Sequence, residues 1–196
     1  MNFKLRPFTL RQAVPDDSEA VAALHVACWR ETYRGLLPDA LIDGMNVADR
    51  TVQWQRALER RADVQVILAE DDSGALAGFA SGGPARDAAL GAAQEIYAIY
   101  VRRAAQRHGV GRILLRAVAA NLAARTLDPA RLSLGLWVLS GNAPARAFYE
   151  RMGGAPADER VERRDGHDLA ETAYRWSDLR ALMGASSLDG PPPGFA

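Results

Sequence analysis

One strand–turn–helix run restricts this chain more than any other feature. Tyr97-Ala98-Ile99-Tyr100-Val101 is apolar enough for a buried strand, and Arg102-Arg103-Ala104-Ala105-Gln106-Arg107-His108-Gly109-Val110-Gly111 follows it directly. Arg112-Ile113-Leu114-Leu115 then leads into a helix expected from Gly109 to Arg125. The first amides of a helix lack intrahelical acceptors, and the aligned peptide dipoles add positive charge there. Gly109 and Gly111 keep side chains out of an anion's way, while Arg102, Arg103, Arg107 and Arg112 add charge nearby. Such a turn suits a phosphate or pyrophosphate; the plain alternative is a glycine-rich helix entry with solvated arginines.

Two phosphate-binding folds fail at this turn. A Walker loop needs Gly-Lys-Ser/Thr, which is absent. A dinucleotide fold wants a third small residue where Leu114 stands, and an acid ending the next strand, whereas Asp128 precedes that strand.

Around this run the chain alternates strands and helices. Phe8 to Arg11 is expected as a strand, and Asp16 or Asp17 caps a helix reaching about Tyr33, with Val21, Leu24, Cys28 and Thr32 at helical spacing. Pro38 opens a short helix and Ala48 to Arg61 forms an amphipathic one. Val64 to Glu70 and Leu76 to Ser81 read as a hairpin about Asp71-Asp72-Ser73-Gly74. Glu95 to Val101 and Leu132 to Leu139 are strands, and a helix from Asn142 to Met152 closes at Gly153-Gly154. Arg160 to Arg164 and Leu169 to Trp176 turn about Asp165-Gly166 and read as an exposed edge region. This order implies an α/β (α+β) domain, a mixed sheet with helices on its faces. One domain over residues 1–184 and a flexible tail over 185–196 are expected.

Composition narrows the function. The chain of 196 residues is 48% apolar and 24% charged, with zero formal net charge, so it lacks the basic excess usual in nucleic-acid binders. No apolar run is long enough for a membrane helix, and no export signal precedes Phe8, which makes the cytoplasm the expected location. Cys28 is the single cysteine, and its apolar helical setting marks a structural thiol. His25, His108 and His167 are too scattered for a zinc site, so no metal is expected.

Two motifs resemble those of the GCN5-related N-acetyltransferase (GNAT) family. Gln106-Arg107-His108-Gly109-Val110-Gly111 matches the family's Gln/Arg-x-x-Gly-x-Gly/Ala signature, and Asn142 to Gly153 matches its Asn-x-x-Ala-x-x-Phe-Tyr-Glu-x-x-Gly. The resemblance implies an acyl-CoA N-acyltransferase fold with a splayed, mostly antiparallel sheet, and acetyl-CoA as cosubstrate. By that resemblance Ile99, Tyr100 and Val101 run along the pantetheine arm, and Gln106, Arg107, His108, Gly109, Val110, Gly111 and Arg112 surround the pyrophosphate. Asn142 and Ala145 contact the cofactor, and Tyr149 protonates the departing thiolate, a task within reach of a phenol.

The remaining roles stay open in the sequence. Glu95 shares even spacing with Tyr97, Ile99 and Val101, so the four are expected on one sheet face. Glu95 is either the general base or a strand-end carboxylate, with Tyr97 as an alternative holder of a relay water. Trp29 and Tyr33 follow His25 at i+4 and i+8, forming either an acceptor-pocket wall or helix packing, with Glu31 available to a cation and Trp137 as a further wall. The implied activity is acetyl transfer by direct attack of a small-molecule primary amine. Competing expectations are acetylation of a protein N-terminus or lysine, and a non-catalytic acyl-CoA-binding module. A homodimer is common in the family, and nothing in the chain demands one.

Overall fold

The computed structural model describes residues 3–5, 8–60, 62–126, 132–177 and 179–184; the expected tail at 185–196 and Asp128 lie outside them. Among the described residues eight strands form one sheet in the order β1-β2-β3-β4-β5-β6-β8-β7. They are β1 (Phe3–Leu5), β2 (Phe8–Gln12), β3 (Gln65–Glu70), β4 (Leu76–Pro84), β5 (Gln94–Val101), β6 (Leu134–Leu139), β7 (Ala155–Arg164) and β8 (His167–Trp176). The helices are α1 (Ser18–Tyr33), α2 (Asp39–Asp43), α3 (Val47–Glu59), α4 (Val110–Arg125), α5 (Ala143–Arg151) and α6 (Leu179–Met183). None of the described helices is long and apolar enough to cross a membrane.

Every neighbouring pair is antiparallel except β5 and β6. Those two run parallel and pair only at Gln94↔Leu134 and Glu95↔Gly135. Beyond that point β5 continues along β4 to Val101, and β6 along β8 to Leu139. A wedge therefore opens in the middle of the sheet. The sheet is mixed, mostly antiparallel and splayed, as expected.

A bulge in β5 corrects one expectation. Ser81 faces Ala98 while Gly82 faces Ile96, so Tyr97 is the extra residue. The inserted residue breaks the period of two. Ile96, Ile99 and Val101 pack on the α4 side, while Ala98 and Tyr100 pack on the side of α1 and α3. Glu95, Tyr97, Ile99 and Val101 thus do not share one face. Three smaller differences follow from local partners. A short β1 pairs with β2, β7 begins at Ala155, and β8 lies inside the sheet, where Ala173, Tyr174 and Trp176 are buried. Asp17 sits at the α1 N-cap without a side-chain capping bond, because its carboxylate is taken by Arg11 and the Val14 amide.

Both faces of the central strands are covered, which explains the unbroken apolar run in β3. Ile67 and Ala69 meet Leu114, Leu115, Val118 and Leu122 of α4, whereas Val66 and Leu68 meet Val21, Leu24 and Cys28 of α1 with Trp54 and Leu58 of α3. Cys28 is buried and its thiol is pushed up to about 12 by that burial, so it is a packing residue. Leu114 is fully buried under the sheet. Leu114→Ala is expected to lower unfolding free energy by roughly 2–5 kcal/mol, measured as a lower urea midpoint at unchanged slope.

Candidate active site

A cleft of about 1490 Å³ passes through the wedge and is lined from both faces of the sheet. One end is the turn after β5. Gly109 occupies the α4 N-cap at φ 84, a left-handed conformation that costs glycine least, and no side chain caps the helix. The first-turn amides of α4 are left for an outside acceptor. A Cβ at Gly111 would stand 3.4 Å from the Phe148 ring, so this position lies where α5 closes against α4. Gln106 donates its amide to the Val101 carbonyl at 3.1 Å, tying the turn to the strand end. Arg103, Arg107, Arg112 and Arg151 line this end. Turn and arginines together fit a diphosphate.

The middle of the cleft holds phenols from three elements. Asn142 caps α5 by accepting from the Ala145 amide at 3.2 Å, which aims Tyr149 into the wedge. Tyr149 is 9% exposed among Phe148, Tyr174 and Trp176, with ring centroids 5.3, 5.8 and 6.2 Å away. Tyr33, at the end of α1, lies beside Tyr100 and Asn142, which influence its hydroxyl. Burial raises the pKa of Tyr149, Tyr33 and Tyr100 above that of a free phenol. All three therefore stay protonated at neutral pH.

On the far side Glu95 is only 3% exposed. Its carboxylate accepts the Arg86 amide at 2.9 Å and two guanidinium N–H groups of the same residue. Arg86 also lies 4.2 Å over the Tyr97 ring, whose hydroxyl donates to the Pro84 carbonyl at 2.6 Å. Neither a free strand-end acid nor an unencumbered base describes Glu95. Trp137 carries Arg160 at 4.2 Å over its ring, and Arg160 pairs with Glu171. Trp29 is buried with Val26, Leu37 and Ile42 and packs on Tyr33 at 4.4 Å. Trp54 donates its indole N–H to His25 Nδ1 at 3.2 Å, which leaves the ring proton on Nε2. Burial first, and Arg50 second, lower the His25 pKa from 6.5 to about 3.

The cleft brings together Trp29, Tyr33, Glu95, Tyr97, Ile99, Tyr100, Val101, Gln106, Arg107, Gly109, Gly111, Arg112, Trp137, Asn142, Ala145 and Tyr149. Two expected residues turn away: Val110 is buried in the core, and exposed His108 bonds the Gln106 carbonyl through Nδ1. Tyr100 sends its ring across to His25 and Phe79 on the α1 side. Glu31 accepts from the Arg103 amide at 3.3 Å, so it belongs to the anion end. Sequence reasoning missed Arg50 and Arg86, and placed Arg160 and Arg164 on an exposed edge, yet all four line the cleft. For Arg50 a signal existed, because it precedes Trp54 by one helical turn.

A sheet splayed beside an uncapped helix start, with a buried phenol lining the same cleft, could hold an acyl carrier. The chain belongs to the acetyltransferase (GNAT) family, whose model matches residues 16–154. It is 34% identical over 178 residues to the uncharacterized N-acetyltransferase YuaI of Bacillus subtilis, covering 89% of this chain and 95% of YuaI. Among solved structures, the PaiA N-acetyltransferase of Thermoplasma acidophilum in complex with coenzyme A matches with a TM-score of 0.64 at 19% identity, over 86% of this chain and 99% of that one. YncA of Salmonella typhimurium with acetyl-CoA matches with a TM-score of 0.63 at 17% identity, over 86% and 92% of the two chains.

Two measurements check the site. Gly111→Glu is expected to abolish acetyl-CoA binding in a calorimetric titration while leaving the far-ultraviolet spectrum unchanged, since it sets bulk and negative charge in the turn. Neutral His25 contributes stability that is fully present above about pH 6.5, the unfolded value, and is lost as pH falls toward about 3. Urea midpoints taken across that window should drop for the wild type and drop less for His25→Gln, which keeps an acceptor for Trp54.

Proposed function

We propose that the protein moves an acetyl group from acetyl-CoA to the primary amine of a small molecule by direct attack on the thioester. The observation that carries this reading is the buried Tyr149 phenol at the fork of β5 and β6, between the open α4 amides and the aromatic far side. The α4 turn and its arginines hold the diphosphate of the carrier. The β5 backbone from Ile99 to Val101 faces the wedge without a β6 partner, so its edge pairs the pantetheine arm. Asn142 and Ala145 flank that arm at the start of α5.

The amine nitrogen bonds to the carbonyl carbon, the carbon–sulfur bond breaks, and Tyr149 gives its proton to sulfur. Its raised pKa keeps that proton available throughout the neutral range. The acceptor must first lose a proton. Glu95 offers about four lone-pair directions, of which three meet Arg86, so one is left for a water linking it to the amine. Tyr97 stands beside that water path. Trp29, Tyr33 and Trp137 wall the acceptor space.

Tyr149→Phe tests the assignment. It is expected to lower kcat by about 100-fold or more while acetyl-CoA affinity is retained. An unchanged kcat and pH–rate profile would remove the acid role. A thiol-release screen of amines beside peptides tests the acceptor, and turnover on peptides alone would replace the small molecule with a protein target.

A further inference from the structure

The cleft carries arginine charge beyond that of the turn before α4. Arg50 of α3, Arg86, and Arg160 and Arg164 of β7 all line it. Two are occupied. Arg86 holds Glu95, and Arg160 holds Glu171 at 2.7 Å and Asp87. Arg50 differs, because its guanidinium donates to the neutral amide of Gln53 at 2.7 Å. No carboxylate lies within ion-pair distance of Arg50 among the described residues. Arg164 has a single long contact of 3.6 Å to Glu162, which also serves Arg160 at 3.2 Å.

Arg50 and Arg164 come from different elements and line the same cleft. Arg50 acts on Tyr100 and His25, and Arg164 acts on Tyr33 and on Arg50. Partial burial and its like-charged neighbour both work against the charge on Arg50. Asp49 is exposed and held by Asn46, and Glu171, the carboxylate that acts on Tyr33, is committed to Arg160. Neutral His25 adds no countercharge. Two guanidiniums lining one cleft with the three phenols attract an oxyanion and repel a simple cation.

We infer that the acceptor is an amine that also bears a carboxylate, and that Arg50 with Arg164 binds that carboxylate. The inference deepens the acetyltransferase reading and rests on it. An amino acid fits the two ends of the space, its nitrogen toward Tyr149 and its carboxylate toward α3 and β7. Arg50 is then a specificity residue, and polyamines and other purely cationic amines are poor acceptors.

The test is thiol release with matched sets, each amino acid beside its carboxamide and its decarboxylated amine. Wild type, Arg50→Gln, Arg164→Gln and Arg56→Gln are compared; Arg56 is an exposed α3 arginine away from the cleft. Wild type is expected to prefer the acids, and Arg50→Gln to lower kcat/KM for them by about 10- to 100-fold, with a much smaller change for amides. Arg164→Gln should move the same ratio, and Arg56→Gln should not.

A parallel titration follows tryptophan fluorescence as N-acetylamino acids bind the protein with coenzyme A, a readout that needs no turnover. Binding by wild type and its loss in Arg50→Gln support the inference. Equal use of acids, amides and amines, or equal effects of Arg50→Gln and Arg56→Gln, overturns it. If no amine releases thiol while carboxylate binding still depends on Arg50, the acetyl-transfer reading fails and the anion site stands. If neither assay distinguishes the carboxylate, the site is refuted even where other amines are acetylated.

Discussion

The structure depends on two strands that pair for two residues and then part. β5 and β6 meet at Gln94↔Leu134 and Glu95↔Gly135, and no ladder joins them afterwards. Backbone amides and carbonyls stranded inside a sheet are costly unless something bonds to them. The wedge is stable because each strand keeps a full antiparallel partner on its other side, β4 for β5 and β8 for β6. The edge facing the gap is thus rigid, unpaired and accessible. A carrier arm that adds to it gains main-chain hydrogen bonds without any rearrangement of the sheet.

The bulge at Tyr97 sits just past the point of divergence. An extra residue increases local twist and re-aims the side chains that follow. Ile99 and Val101 turn toward α4, while Tyr100 crosses to the α1 side and meets His25 and Tyr33. One irregularity thereby sends neighbouring β5 side chains to opposite faces of the sheet. Helix α1 then bridges the gap: Glu31 reaches the Arg103 amide on the β5 side, and Tyr33 reaches Asn142 on the β6 side. The cleft is a passage with different chemistry at each mouth, helix amides and arginines at one, aromatic rings and paired charges at the other.

Burial sets the protonation of the groups inside. The three phenols are held protonated and His25 neutral by the same desolvation, which disfavours any charged form. Glu95 stays buried because Arg86 and its own amide surround the carboxylate. On the far side Glu95 is held by Arg86 and Arg160 by Glu171, whereas Arg50 has a neutral amide as its partner.

Local chemistry is what the sequence by itself determined. Gly109 and Gly111 after an apolar strand, Asn142 three residues before Ala145, and Asp165-Gly166 between two strands each act within a few residues of chain, and each stands where the pattern put it. Helix spacing placed Trp29 and Tyr33 with His25, and motif spacing placed Tyr149. Tertiary structure alone decided the bulge, because Tyr97 has no local mark of an unpaired residue and is displaced by its register against β4. It also decided the burial of Glu95, whose partner Arg86 lies across a turn, and the placing on one cleft of Arg50 and Arg164, which are more than a hundred residues apart in the chain. Backbone preference is written in neighbours, but a charge takes its meaning from whatever the fold carries beside it.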